Sequence, residues 1–143
     1  MRPAARGPRP QDWPDRLVAH VASWRGQAFA WGTHDCATYV AGWVQAMHGI
    51  DILDGIRGTY GTEAEYEAML QEWGGLGPLA DSVTAIHGLP PCPPAFVMRG
   101  DIALLEVGNM LGLGLVDAVA VTVPGVDRVR LVPRSAIIRA WAV

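Results

Sequence analysis

Apolar residues recur at helical spacing along the first two-thirds of the chain and in short alternating runs along the last third, so helices come first and strands after. The strongest periodic stretch opens at Asp35-Cys36. Ala37, Val40, Ala41, Val44 and Met47 share one side of a helix there, with Asp35 suited to the N-cap and Gly49 to the stop. An earlier helix starts at Asp12-Trp13-Pro14, with Leu17, Val18, Val21 and Trp24 as its apolar face and His20 packed near that face. Thr62 and Glu65 form a capping box opening a helix that carries Ala64, Met69, Leu70 and Trp73 and stops at Gly74-Gly75. A further helix runs from Pro78 or Leu79 through Ile86 and ends at His87-Gly88. Between these, residues 50–61 form a loop rich in Gly and Asp, and the prolines around Cys92 exclude regular structure.

From Gly100 the pattern becomes strand-like: residues 100–107, the glycine-interrupted 110–116, 119–123, 128–132 after a Pro124-Gly125 turn, and 137–143. Helices followed by a strand meander predict an α+β domain, with N-terminal helices and a central cysteine-bearing helix packed on a C-terminal antiparallel sheet. Residues 12–143 form that single domain. Residues 1–11, with Arg2, Arg6, Arg9 and three prolines, read as a flexible or extended basic arm, free or docked on a partner.

At 143 residues the chain is long enough to bury about two-thirds of its unfolded surface. Its 50% hydrophobic and 17% charged content is apolar enough for a partner to cover part of the surface. A net charge of -3 argues against a nucleic-acid partner. The two cysteines, Cys36 and Cys92, are too few for a disulfide scaffold and read as free thiols. Neither a secretory signal nor a membrane span is recognisable, so synthesis in the cytoplasm without membrane insertion is expected.

The candidate chemistry centres on Cys36. A thiol on the first turn of a buried helix is a recurring nucleophile device, because the helix end favours the thiolate. That end supplies only about 0.3 to 1 kcal/mol, less than one unit from a thiol pKa of about 8.5. A base is needed as well. Metal binding is not expected, since His34, Asp35 and Cys36 are contiguous and no second cluster has ligand spacing. No phosphate loop is present, and no cofactor is expected.

Residues Trp31-Gly32-Thr33-His34-Asp35-Cys36-Ala37-Thr38-Tyr39-Val40, with Arg99-Gly100-Asp101-Ile102-Ala103-Leu104-Leu105 after a helical insert, resemble the NlpC-type cell-wall cysteine peptidases of the papain-like fold. The likeness covers residues 13–143 in order and spacing. Trp-Gly-Thr-His-Asp-Cys with a closing Ala140-Trp141 is also similar to short proteins encoded in tail gene clusters of tailed phages and gene transfer agents. This resemblance implies a papain-like fold with Cys36 at the nucleophile position and a place at the virion tail tip. Its implied partners are tail hub or tail-fibre-type proteins in a symmetric assembly, and peptidoglycan, whose stem peptides the active members cleave.

The family's general base is a histidine opening the strand after the Gly-Asp strand. Here that position falls at residues 109–112, and Asn109, Met110, Leu111 and Gly112 include no histidine. The orienting group on the next strand has only Thr122 to offer, and no histidine follows His87. His34 is the substitute base nearest in sequence, against its alternative as a loop residue bonding to backbone. His48 and His87 could reach the thiol only by an unusual chain path. Asp35 and Asp101 read as helix cap and turn former, and Trp31 as a core residue or the wall of a substrate groove. The leading expectation is a structural or interaction component of a tail hub with degenerate catalysis. The alternatives are an active peptidoglycan endopeptidase at the tail tip and a host-derived thiol hydrolase.

Overall fold

The start signal at Asp12-Trp13-Pro14 opens α1 (Trp13–Trp24) in a computed structural model that describes all 143 residues. Asp12 occupies the cap position, but its carboxylate accepts from Arg16 Nε at 2.8 Å rather than from a backbone amide. Leu17 and Val21 are buried, Trp24 packs beside them, and Val18 is 61% exposed. Positions i, i+4 and i+7 line up on a helix while i+1 turns about 100° away, so Val18 leaves the predicted face.

α2 (Cys36–His48) is the centre of the molecule. All five predicted face residues are buried, and Tyr39 and Trp43 are fully so, which makes the helix buried around most of its circumference. Gly49 ends it in the left-handed region at φ 68°. Residues 50–61 hold no helix or strand, yet Ile52, Leu53, Ile56 and Tyr60 from this loop enter the main core. α3 (Glu63–Trp73) starts with the Thr62 hydroxyl accepting from the Glu65 amide. Its buried residues are Tyr66 and Met69, while Ala64 is exposed.

α4 (Leu76–Ile86) begins two residues before the expected Pro78. Gly75 at φ 121° turns the chain sharply enough for the helix to start at once. Pro78 then falls in the first turn, where its missing N–H leaves no intrahelical bond unmade.

The sheet is wholly antiparallel: β1 (Ile102–Val107), β2 (Met110–Val116), β3 (Ala120–Pro124), β4 (Val129–Pro133) and β5 (Ile137–Trp141), in the order β4-β3-β2-β1-β5. The protein is thus an α+β domain of four helices and a five-stranded sheet, as the order of periodicities predicts. Alternate residues point to opposite faces. Ile102, Leu104, Leu113 and Leu115 join the helix-side core, and Ala103, Leu105, Val116 and Val121 form a second, smaller core with Ile137 and Ala140. β1 is therefore apolar on both faces.

The proline-rich segment is not regular structure, but it lies along the outer edge of β5. Cys92 N donates to Ala140 O and Ala142 N to Pro90 O, both at 2.8 Å. That segment covers one edge of the sheet.

Gly114 is required by space. A Cβ there would lie 2.5 Å from Thr122 O and 2.8 Å from a methyl of both Val121 and Val123. Gly114→Ala is expected to lower the unfolding free energy by about 1–3 kcal/mol through overpacking, read as a reduced urea midpoint. A midpoint equal to wild type would show that β2 and β3 are not this close.

Candidate active site around Cys36

The segment leading to α2 closes on itself before the helix starts. His34 N donates to Ala30 O at 2.8 Å and Ala30 N to His34 O at 3.1 Å. Gly32 sits at the tip with φ 85°, and a Cβ there would be 2.4 Å from Tyr60 O. Only glycine fits that contact and that backbone. Asp35 then caps α2 in a capping box: its Oδ1 accepts from Thr38 N, and the Thr38 hydroxyl accepts from Asp35 N, each at 2.9 Å. Asp35 Oδ2 accepts from Gly32 N at 2.8 Å and from the Tyr60 hydroxyl at 2.6 Å. Buried and held by these donors, the carboxylate does the structural work expected of it, fixing the loop, the helix start and Tyr60 together.

Cys36 follows as the first residue of the helix and keeps part of its surface open. The thiol is nonetheless surrounded, and burial pushes its pKa up to about 11. The Leu113 backbone and the Tyr66 hydroxyl favour the thiolate, while the charge of Asp35 opposes it. The helix end alone is too weak to overcome desolvation. Neutral conditions leave this group a thiol.

No imidazole meets the sulfur. His34 packs against Trp24 with ring centroids 5.0 Å apart and planes inclined at 55°, and no hydrogen bond joins its ring to Cys36. His20 bonds through Nε2 to Tyr39 O at 2.9 Å and packs against Trp24, Tyr39 and Trp43. His48 ends α2, about 18 Å from Cys36 at 1.5 Å per residue. His87 Nδ1 bonds to Val83 O at 2.8 Å.

Where a base would be sought, Asn109 is exposed in the turn before β2 and the strand positions after it are apolar. Met110 and Leu111 are exposed, and the next inward residue, Leu113, faces the cysteine helix. Thr122 is already engaged: its hydroxyl pairs with the Tyr39 hydroxyl at 2.8 Å and with Leu115 O at 3.2 Å. Both hydroxyls are buried, so this pair satisfies the core and leaves nothing to orient an imidazole.

Trp31 belongs to an aromatic cluster. It lies 4.7 Å from Tyr66 and, edge-on, 4.7 Å from Phe29, and Tyr66 continues to Tyr60 at 5.4 Å. Tyr66 is the residue that sequence reasoning missed. Its position beside Trp31 and the thiol follows from α3 folding back over the loop, which no local pattern records. No group of three metal-ligating side chains is formed. Cys36 and Cys92 are both free.

The other motif residue, Asp101, is more than a turn former. Gly100 at φ 88° makes the turn, and its carbonyl accepts from Trp43 Nε1 at 2.8 Å. Asp101 is fully buried and accepts from Nη1 and Nη2 of Arg2, from Arg9 Nη2 at 3.2 Å, from Met98 N at 2.8 Å and from Val143 N at 3.2 Å. Arg9 also reaches Val143 O and Arg99 O, and Arg6 reaches His87 O. The N-terminal arm, extended and without helix or strand, is thereby laid on its own domain. No helix is long and apolar enough to cross a membrane.

No curated protein matches this sequence. The sequence model of a family described as a domain of unknown function, DUF6950, matches residues 8–143, from within the arm through Asp35-Cys36 and Gly100-Asp101 to the last residue. With nearly the whole chain covered, the protein belongs to the DUF6950 family.

Proposed function

We propose that this protein is a structural and interaction component of the tail tip of a tailed phage or gene transfer agent, with an NlpC-type papain-like fold whose catalysis has been lost. The observation that carries the reading is the environment of Cys36: a helix-opening thiol next to a cap aspartate, with Leu113 and Tyr66 rather than an imidazole as its neighbours. Two features of the α+β fold support the peptidase-like part of this reading. A five-stranded sheet follows the cysteine helix, and a Gly-Asp turn precedes its first strand.

A thiol peptidase needs a thiolate and a proton donor for the leaving amine, both normally from a histidine. Removing such a member of a catalytic unit costs on the order of 10⁴-fold or more. The family resemblance supplies the rest of the proposal: tail hub or tail-fibre-type proteins as partners, a symmetric assembly, and peptidoglycan as the surface met at the tip.

Zymography on purified cell walls tests it. Wild-type protein and Cys36→Ala are expected to give the same absence of lysis. Lysis by wild type that disappears in Cys36→Ala would establish an active endopeptidase and overturn the reading.

A further inference from the structure

The two edges of the sheet are treated differently. β5 is covered by the segment around Pro91, whereas β4 pairs with β3 alone; the nearest other backbone contact is at the preceding turn, where Phe29 N donates to Val126 O at 3.0 Å. The direction of its backbone groups follows from the hydrogen bonds at either end of β3. Asp117 N donates to Ala120 O at 2.8 Å, so Ala120 and Thr122 point to β2, and Val121 and Val123 point to β4. Their partners in register are Val132 and Arg130. Gly125 N donating to Arg128 O at 2.7 Å continues the same alternation. The N–H groups of Val129 and Leu131 and the carbonyls of Val129, Leu131 and Pro133 therefore point outward, unpaired within the chain.

The side chains along that edge say what fits it. Leu131 is 71% exposed on the helix-side face. Arg128 and Arg130, exposed on the opposite face, take part in none of the chain's ion pairs. Two copies of β4 paired edge to edge would bring these guanidinium groups together, and like charges opposite one another disfavour that pairing.

We propose that the β4 edge is a docking site for an extended acidic segment of another protein, which adds as a sixth strand. Its carboxylates alternate with aliphatic residues, so that acids lie beside Arg128 and Arg130 and an aliphatic side chain covers Leu131. Main-chain bonds to Val129 and Leu131 hold the segment, and the arginines select its charge. This site is independent of whether Cys36 is reactive.

The probe is a capped seven-residue peptide of alternating Glu and Val, with the Lys-Val counterpart as control, added to the full chain. Backbone amide exchange by NMR is expected to slow at Val129 and Leu131 on adding the Glu-Val peptide and not the Lys-Val one. Arg128→Glu with Arg130→Glu should weaken that binding by about tenfold or more. Leu131→Pro removes one outward donor without touching a bond to β3, and should abolish the protection while the exchange pattern of α2 stays unchanged. Protection elsewhere, equal binding of both peptides, or a dimer formed through β4 in the absence of peptide would overturn the proposal.

Discussion

Asp101→Asn is expected to destabilise the protein by about 3–5 kcal/mol, the usual cost of removing one partner from a buried ion pair. For a domain of this size that lowers the melting temperature by roughly 10–20 °C. The carboxylate is fully buried and the side chains of Arg2 and Arg9 are only 22% and 9% exposed, so water cannot replace what the substitution removes. An amide keeps the shape but loses the charge, and turns an NH₂ group toward donors of Arg2, Arg9, Met98 or Val143. The second consequence is positional. The arm is tied to the domain chiefly through this carboxylate, so Asp101→Asn should also speed proteolysis at residues 1–10 under conditions where the domain remains folded. A variant within about 1 kcal/mol of wild type, with its arm equally protected, would mean that Arg2 and Arg9 do not hold Asp101 in solution.

Asp101 also marks where the sequence stops being informative. Its partners Arg2 and Arg9 are 99 and 92 residues away, and no local periodicity encodes such a pairing. Short-range signals read well. Asp35 and Gly49 bracket α2, Thr62 opens α3, and the alternating runs from residue 100 locate every strand within about two residues. Apart from the early start of α4, set by Gly75, the errors share one origin: tertiary packing selects among residues that pattern alone treats as equivalent. Val18 and Ala64 look apolar and face water, while Ile52, Leu53 and Ile56 sit in a loop and fill the core. At the candidate site the thiol, its cap and the lack of a histidine after His87 are legible in the chain. That Leu113 and Tyr66 take the place beside the sulfur is not, because they arrive from a strand and a helix whose approach depends on the whole fold.

The Cys36 thiol should react with iodoacetamide at pH 7.5 about 20- to 30-fold more slowly than free cysteine. A pKa of about 11 in place of about 8.5 lowers the thiolate fraction by roughly 300-fold at that pH. The more basic thiolate recovers about tenfold of this through its higher intrinsic nucleophilicity. Peptide-level mass spectrometry separates Cys36 from Cys92, and the Cys36 rate should keep rising with pH beyond 9 instead of levelling near neutrality. The same shift bears on stability. Below about pH 8.5 the thiol is protonated in both folded and unfolded chains, and its contribution is fully present. Above that the unfolded chain ionises first, so wild-type stability falls until the folded thiol also ionises near 11. Cys36→Ala removes this component and should flatten the alkaline limb of the stability curve, leaving the slope due to Cys92, Tyr39, Tyr60 and Tyr66, whose ionisations burial also pushes upward. A thiol that reacts at the rate of free cysteine and reaches its plateau below pH 8 would require a cationic partner beside the sulfur, where Leu113 and Tyr66 now stand.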